Sequence, residues 1–151
     1  HKAVAAAKRR KTPLAVVYLD LDGFKPVNDT YGHAMGDRLL QAIGWAMRDD
    51  LRETDTAARI GGDEFVVVLT DLGTRNDAEQ VIQRLLNHIR HPVELDGIRV
   101  QVGVSAGISF YPQTHELNAD QLTRQADQAM YVAKRAGKNA YRIADDLEVG
   151  D

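Results

Sequence analysis

A chain of 151 residues, 44% hydrophobic and 27% charged, is sized for one domain with a full core. Its net charge of −3 argues against a protein that holds duplex nucleic acid through its phosphates; the absence of cysteine removes disulfide and thiolate chemistry and fits a reducing compartment. The longest apolar stretches, 14–19 and 65–69, are far too short to span a bilayer and no signal peptide precedes them, so this segment reads as soluble.

Residues 2–10, rich in Ala, Lys and Arg, predict the end of a helix stopped by Thr12-Pro13. The cluster Lys8-Arg9-Arg10-Lys11 reads as a solvated helix end rather than a binding arm. With no initiator Met before His1, the sequence reads as a fragment of a longer protein.

Leu14 to Leu19 is a continuous apolar run, the pattern of a strand buried on both faces. It ends in Asp20-Leu21-Asp22-Gly23, where carboxylates suit a cation better than a core; a plain strand-to-loop turn is the other reading. A loop over Phe24 to Gly36 then leads to a helix at about 37–51, with Leu39, Leu40, Ile43, Met47 and Leu51 on one face. Trp45 lies off that stripe, positioned for a neighbouring element or a partner subunit.

A hairpin is expected over about 56–70, with Gly61-Gly62 at its tip and Asp63-Glu64 directly after. Glycines there can take the positive φ of a tight primed turn and let an anion approach the backbone. The carboxylates would repel a bare polyphosphate, so the combination makes chemical sense with divalent cations between the two.

A second amphipathic helix is predicted at about 77–90, with Val81, Ile82, Leu85, Leu86 and Ile89 inward. Pro92 to Leu95, Asp96-Gly97 and Ile98 to Phe110 predict another antiparallel hairpin, its alternating Val100, Val102 and Val104 marking a half-buried strand. Asn118 caps a last helix running to about Ala136, with Leu122, Ala126, Ala129, Met130 and Ala133 inward, and Gly137 supplies its terminal left-handed residue. Ala140 to Ile143 is a closing strand and 145–151 an acidic tail. The economical layout is an α/β (α+β) domain, a central mixed and largely antiparallel sheet flanked by helices.

Six stretches now stand in order: Asp20-Leu-Asp-Gly-Phe-Lys25, Asn28-Asp-Thr-Tyr-Gly-His33, Gly36-Asp37, Arg59-Ile-Gly-Gly-Asp-Glu-Phe65, Ala126-Asp-Gln-Ala-Met-Tyr131 and Ala133-Lys-Arg-Ala-Gly-Lys-Asn139. Together, over about 14–143, they resemble the GGDEF family of diguanylate cyclases. The resemblance implies a fold similar to the nucleotide cyclase and polymerase palm. It also implies condensation of two GTP into cyclic di-GMP with release of two pyrophosphates, in a homodimer whose subunits each hold one GTP.

The family pattern implies two Mg²⁺ or Mn²⁺ ions held by Asp20, the carbonyl of Leu21, Asp63 and Glu64. A chain offering hard oxygen ligands without Cys or a His cluster agrees with those metals. Asp63 is assigned to metal binding and is a candidate general base, and Glu64 to metal binding or transition-state support. Asn28 and Asp37 match the guanine-reading positions, and a carboxylate that accepts from two adjacent N–H groups favours guanine over adenine. His33 matches a position near the nucleotide, the backbone at Phe24-Lys25 a phosphate cradle, and Gly61 and Gly62 the substrate-binding tip.

Lys134 and Lys138 match basic positions for the β- and γ-phosphates. Arg is more frequent at the second, and Lys138 keeps the charge without the bidentate fork. Arg52 and Asp55 match an RxxD inhibitory site for a product dimer, with Arg84 as a further contact. The family's upstream Asp-x-Leu-Thr motif is not in the sequence, which implies truncation at the N-terminus and an upstream sensory domain. A cytoplasmic domain of a protein that can be membrane-anchored is the implied setting. The alternative is a catalytically silent module that binds GTP or cyclic di-GMP to control an attached domain.

Overall fold

A computed structural model describes residues 2–10 and 12–144. The elements are α1 (Lys2–Arg10), β1 (Leu14–Asp22), α2 (Phe24–Tyr31), α3 (His33–Asp50), β2 (Thr56–Gly61) and β3 (Glu64–Thr70), then α4 (Arg75–Arg90), β4 (Val93–Leu95), β5 (Ile98–Val100), β6 (Gly103–Tyr111), α5 (Ala119–Arg135) and β7 (Tyr141–Ile143). Lys11 of the basic cluster and the acidic tail 145–151 lie outside the described residues.

Among the described residues the main sheet runs β2-β3-β1-β6-β7, antiparallel except for the parallel pair β6 and β7. β1 is paired on both sides, and its alternation feeds two cores. Ala15, Val17, Leu19 and Leu21 pack with residues of α2, α3 and α4, whereas Leu14, Val16 and Tyr18 pack with Val4 and Ala7 of α1 and Leu122, Ala126 and Met130 of α5. Helix layers on both faces explain why the run lacks polar alternation. Asp20 continues the Tyr18 parity and so faces the α5 side at the end of the strand.

The stretch expected as a loop, Phe24 to Gly36, is largely helical. Phe24 and Val27 bury one short face of α2, too few apolar positions to declare a period, and Pro26 is tolerated because it lies in the first turn. Only Gly32, at φ 91, interrupts, and α3 begins at His33 rather than Asp37. The run Ile98 to Phe110 also divides. β5 pairs with β4 in a separate ribbon, while β6 pairs with β1. Val102, between the two strands, is buried like its neighbours, so alternation continues across the break.

The expected cap at Asn118 is present, and Thr74 supplies a second that was not expected. Asn118 and Gln121 form a capping box at α5, and Thr74 caps α4. After α5, positive φ extends beyond Gly137 through Lys138 and Asn139. Trp45 is 63% exposed on α3. No helix among the described residues is long and apolar enough to cross a membrane.

Helix α5 packs tightly on the sheet at Gly107. A Cβ there would lie 1.9 Å from the Ala126 carbonyl oxygen and 2.3 Å from the Met130 nitrogen, both backbone atoms that cannot swing aside. Gly107→Ala is therefore expected to lower unfolding free energy by about 3 kcal/mol. Urea denaturation of the two proteins checks this.

Candidate active site

The sheet register brings two distant acidic segments together. Asp20 is the Cα partner of Glu64 across β1 and β3, and the Leu21 amide donates to the Asp63 carbonyl at 3.1 Å. The Leu21 side chain is buried in the core, so only its backbone is available to a ligand.

Asp20 is buried, and its Oδ2 accepts from Lys134 Nζ at 2.5 Å, while Oδ1 is buried with no hydrogen-bond partner. Burial holds the Asp20 carboxyl above its ordinary range. The Lys134 hydrogen bond opposes this, and the charges of Asp63 and Asp22 add to the rise. For Lys134, burial alone would depress the ammonium, but the Asp20 hydrogen bond and the charges of Asp20, Asp22 and Asp63 raise it above its usual value.

Asp22 accepts from Ser105 Oγ at 2.8 Å and from the Asn139 amide at 2.9 Å. Asn139 Oδ1 accepts in turn from Arg90 Nε at 2.7 Å and from the Val104 amide at 3.3 Å. The loop carrying Lys138 is thus tied to the end of β1. On the other side Tyr18 donates its hydroxyl to Glu64 Oε1 at 3.2 Å. Of these supporting residues the sequence singles out only the Asp22 carboxylate. Tyr18 and Asp22 stand two positions either side of Asp20, a usable signal on a strand; Asn139 closes the last of the six stretches without a role attached to it, and nothing local marks Ser105.

The hairpin tip departs from expectation. Neither Gly61 nor Gly62 takes a left-handed φ. The turn is accommodated by a register shift between Arg59 and Gly61, and Arg59 Nε donates to the Gly62 carbonyl at 2.8 Å. A Cβ at either glycine would meet nothing within 4 Å, so neither turn sterics nor a protein neighbour demands glycine there. The remaining reason is access to the backbone from outside.

Asn28 lies against Gly36: a Cβ at that glycine would fall 1.7 Å from Asn28 Oδ1, which is buried and without a partner. The next residue, Asp37, is exposed and lines a cleft of about 520 Å³ with Leu40, Trp45, Arg59 and Phe65. His33 is exposed at the start of α3, and Lys138 on the loop after α5. Phe24 is buried and Lys25 exposed in the first turn of α2, whose N-cap Gly23 offers no side-chain cap.

Arg52, Asp55 and Arg84 line a separate cavity of about 270 Å³. Both Asp55 oxygens are engaged within the protein, Oδ1 by the Thr70 amide at 3.0 Å and Oδ2 by the Arg52 amide at 3.0 Å. The Arg52 guanidinium also donates to the Thr70 carbonyl. Asp50, from the end of α3, accepts from Arg84 Nε at 3.3 Å and contacts His88 Nδ1 at 2.5 Å.

Among the described residues no three His, Asp or Glu side chains form a ready metal cage. The hard oxygens of Asp20 and the tip, with the orphaned Oδ1 of Asp20, fit a Mg²⁺-type ion that takes one or two carboxylates and completes its shell with phosphate and water.

The chain is similar to known proteins in sequence and fold. The family model described as diguanylate cyclase, GGDEF domain, covers residues 1–140. The chain is 39% identical over 145 residues to the diguanylate cyclase TpbB of Pseudomonas aeruginosa, spanning 95% of this chain and 33% of that protein. It is 40% identical over 126 residues to the cyclic di-GMP phosphodiesterase NbdA of the same species, spanning 83% of this chain and 16% of NbdA. The crystal structure of the TpbB GGDEF domain superposes with a TM-score of 0.87 at 38% identity, covering 94% of this chain and 88% of that one. The chain thus spans about a third of TpbB and less of NbdA.

Burial, then the charges of Glu64 and Asp127, push the Tyr18 hydroxyl up to about 12. A folded-state value above the unfolded one contributes stability that is present below pH 10 and lost as pH rises toward 12. The stability difference between wild type and Tyr18→Phe is expected to shift by about 2–3 kcal/mol against wild type from pH 9 to pH 12. Denaturant midpoints at both pH values check it.

Proposed function

This chain belongs to the diguanylate cyclase GGDEF-domain family, and on that premise we propose that it condenses two GTP into cyclic di-GMP with release of two pyrophosphates. The observation that carries the proposal is the register that sets Asp20 against Glu64 and Leu21 against Asp63, beside a glycine tip open to a ligand.

The reaction is an in-line attack of a ribose 3′-hydroxyl on an α-phosphorus, with charge developing on the attacking and departing oxygens. Asp20, the Leu21 carbonyl, Asp63 and Glu64 are the residues that would hold two Mg²⁺ or Mn²⁺ ions, which when bound supply charge stabilisation at those oxygens. Asp63 accepts the hydroxyl proton. Glu64, held through one oxygen by Tyr18, supports the transition state.

Asn28 and Asp37 read the guanine pairing edge, and Asn28 Oδ1 is an acceptor that no donor of the protein satisfies. Gly61 and Gly62 admit the phosphates, and the uncapped first turn of α2 at Phe24-Lys25 supplies amides to them. Lys134 and Lys138 neutralise the outer phosphates, with His33 beside the nucleotide. Each subunit presents one GTP, so two copies face each other for reciprocal attack. Cyclic di-GMP returns as an inhibitor to the cavity of Arg52, Asp55 and Arg84, where a guanidinium pairs with and stacks on guanine.

A second reading, a silent nucleotide-binding module, is supported by the similarity to NbdA, a protein named for phosphodiesterase activity. The intact acidic tip favours the enzyme. Incubating dimeric protein with GTP and Mg²⁺ and weighing the products by mass spectrometry decides between them. Cyclic di-GMP with two pyrophosphates per molecule is expected, and GTP binding without turnover would favour the second reading.

Glu64→Gln and Asp63→Asn should each lower turnover on the order of 10²–10³-fold with the fold retained by circular dichroism; wild-type rates in either would refute the site. Arg52→Ala should keep basal turnover while raising the cyclic di-GMP concentration for half-inhibition on the order of tenfold, and an unchanged inhibition curve would refute the inhibitory site.

A further inference from the structure

Lys134 has been given a phosphate to hold, yet its ammonium is engaged elsewhere. Nζ lies 2.5 Å from Asp20 Oδ2 and 3.8 Å from Asp22 Oδ1, and the charge of Asp63 acts on it as well. The Lys134 and Asp20 side chains are only 31% and 12% exposed, so solvent screens this contact incompletely. Asp22 is fixed by Ser105 and Asn139 and cannot follow a departing partner. Asp20 is left half satisfied, with Oδ1 buried and unpartnered.

We infer that Lys134 is the resident counter-ion of this carboxylate group, and that it makes the site select a divalent ion arriving with a nucleoside triphosphate over the free ion. The inference rests on the cyclase reading and adds an order of binding to it. A compact ammonium with three N–H donors on a flexible stem occupies oxygens that a small divalent cation would also take. An ion entering alone would remove the carboxylate partner of Lys134 and leave two cations adjacent in a half-buried site. A triphosphate entering with its ion offers the same ammonium new anionic oxygens, so each charge exchanges one partner for another. Lys134 then serves both ends of the cycle, carboxylate before substrate and phosphate after it.

The test titrates Mn²⁺ by electron paramagnetic resonance, with and without 3′-deoxy-GTP, a probe lacking the attacking hydroxyl. Wild type is expected to bind Mn²⁺ at least about tenfold more weakly without the nucleotide than with it. Lys134→Gln should bind Mn²⁺ about tenfold more tightly than wild type in the absence of nucleotide, narrowing that gap, whereas Lys134→Arg, which keeps the charge, should stay near wild type. An unchanged or weakened nucleotide-free affinity in folded Lys134→Gln overturns the inference. If that variant does not fold, wild type decides: equal Mn²⁺ affinity with and without 3′-deoxy-GTP overturns it too. No Mn²⁺ binding even with the nucleotide would be a different failure, removing the cyclase reading itself and this inference with it.

Discussion

The antiparallel register of β1 against β3 is the constraint on which the site depends. Because Leu14 partners Thr70, the pairing runs without a shift to Asp20 and Glu64, and the next backbone contact joins Leu21 to Asp63. A one-residue slip would send Asp20 and Tyr18 to the opposite face and Leu19 out of its core. Packing on both faces of β1 opposes such a slip, since each parity of the strand is buried against a different set of helices. The apolar run therefore does more than fill the core: it fixes where the acidic end of the strand stops.

That placement costs the fold something. Asp20 is buried, and a carboxyl held above its ordinary range opposes folding at neutral pH, where the unfolded chain ionises it freely. Lys134 offsets part of the cost from α5, and the Ser105, Asn139 and Arg90 network keeps that helix end and its loop against β1. The outcome is a buried carboxylate with one oxygen that the protein leaves unsatisfied. The same principle appears at Asn28, whose amide oxygen is enclosed by α2 and α3 with no protein donor. Both are unmet polar groups of the kind that a polar ligand would relieve.

Much of this was legible in the residues. The buried central strand, the hairpin at 56–70, the capped helices and the closing strand follow from periodicity and punctuation that packing did not override. The acidic pair was legible because carboxylates terminating an apolar run and following a double glycine have little structural use. What stayed hidden has physical causes. α2 buries two apolar side chains, too weak a pattern to separate helix from loop. Val102 is buried between strands, so alternation carried no sign of the break. The tip glycines were expected to serve both backbone conformation and anion access, and their φ values and empty surroundings leave access alone. Ser105 and Asn139 reach Asp22 from 83 and 117 positions away, and no local pattern encodes a contact at that separation.

The central claim is that carboxylates from two distant segments share bound metal with the substrate phosphates. A double-mutant cycle on Mn²⁺ binding in the presence of 3′-deoxy-GTP tests it most directly, using Asp20→Asn, Asp63→Asn and the double variant. Sharing predicts that each single variant loses most of the affinity and that the double loses little more, a coupling beyond about 1 kcal/mol. Additive losses, or a single variant with wild-type affinity, would contradict it.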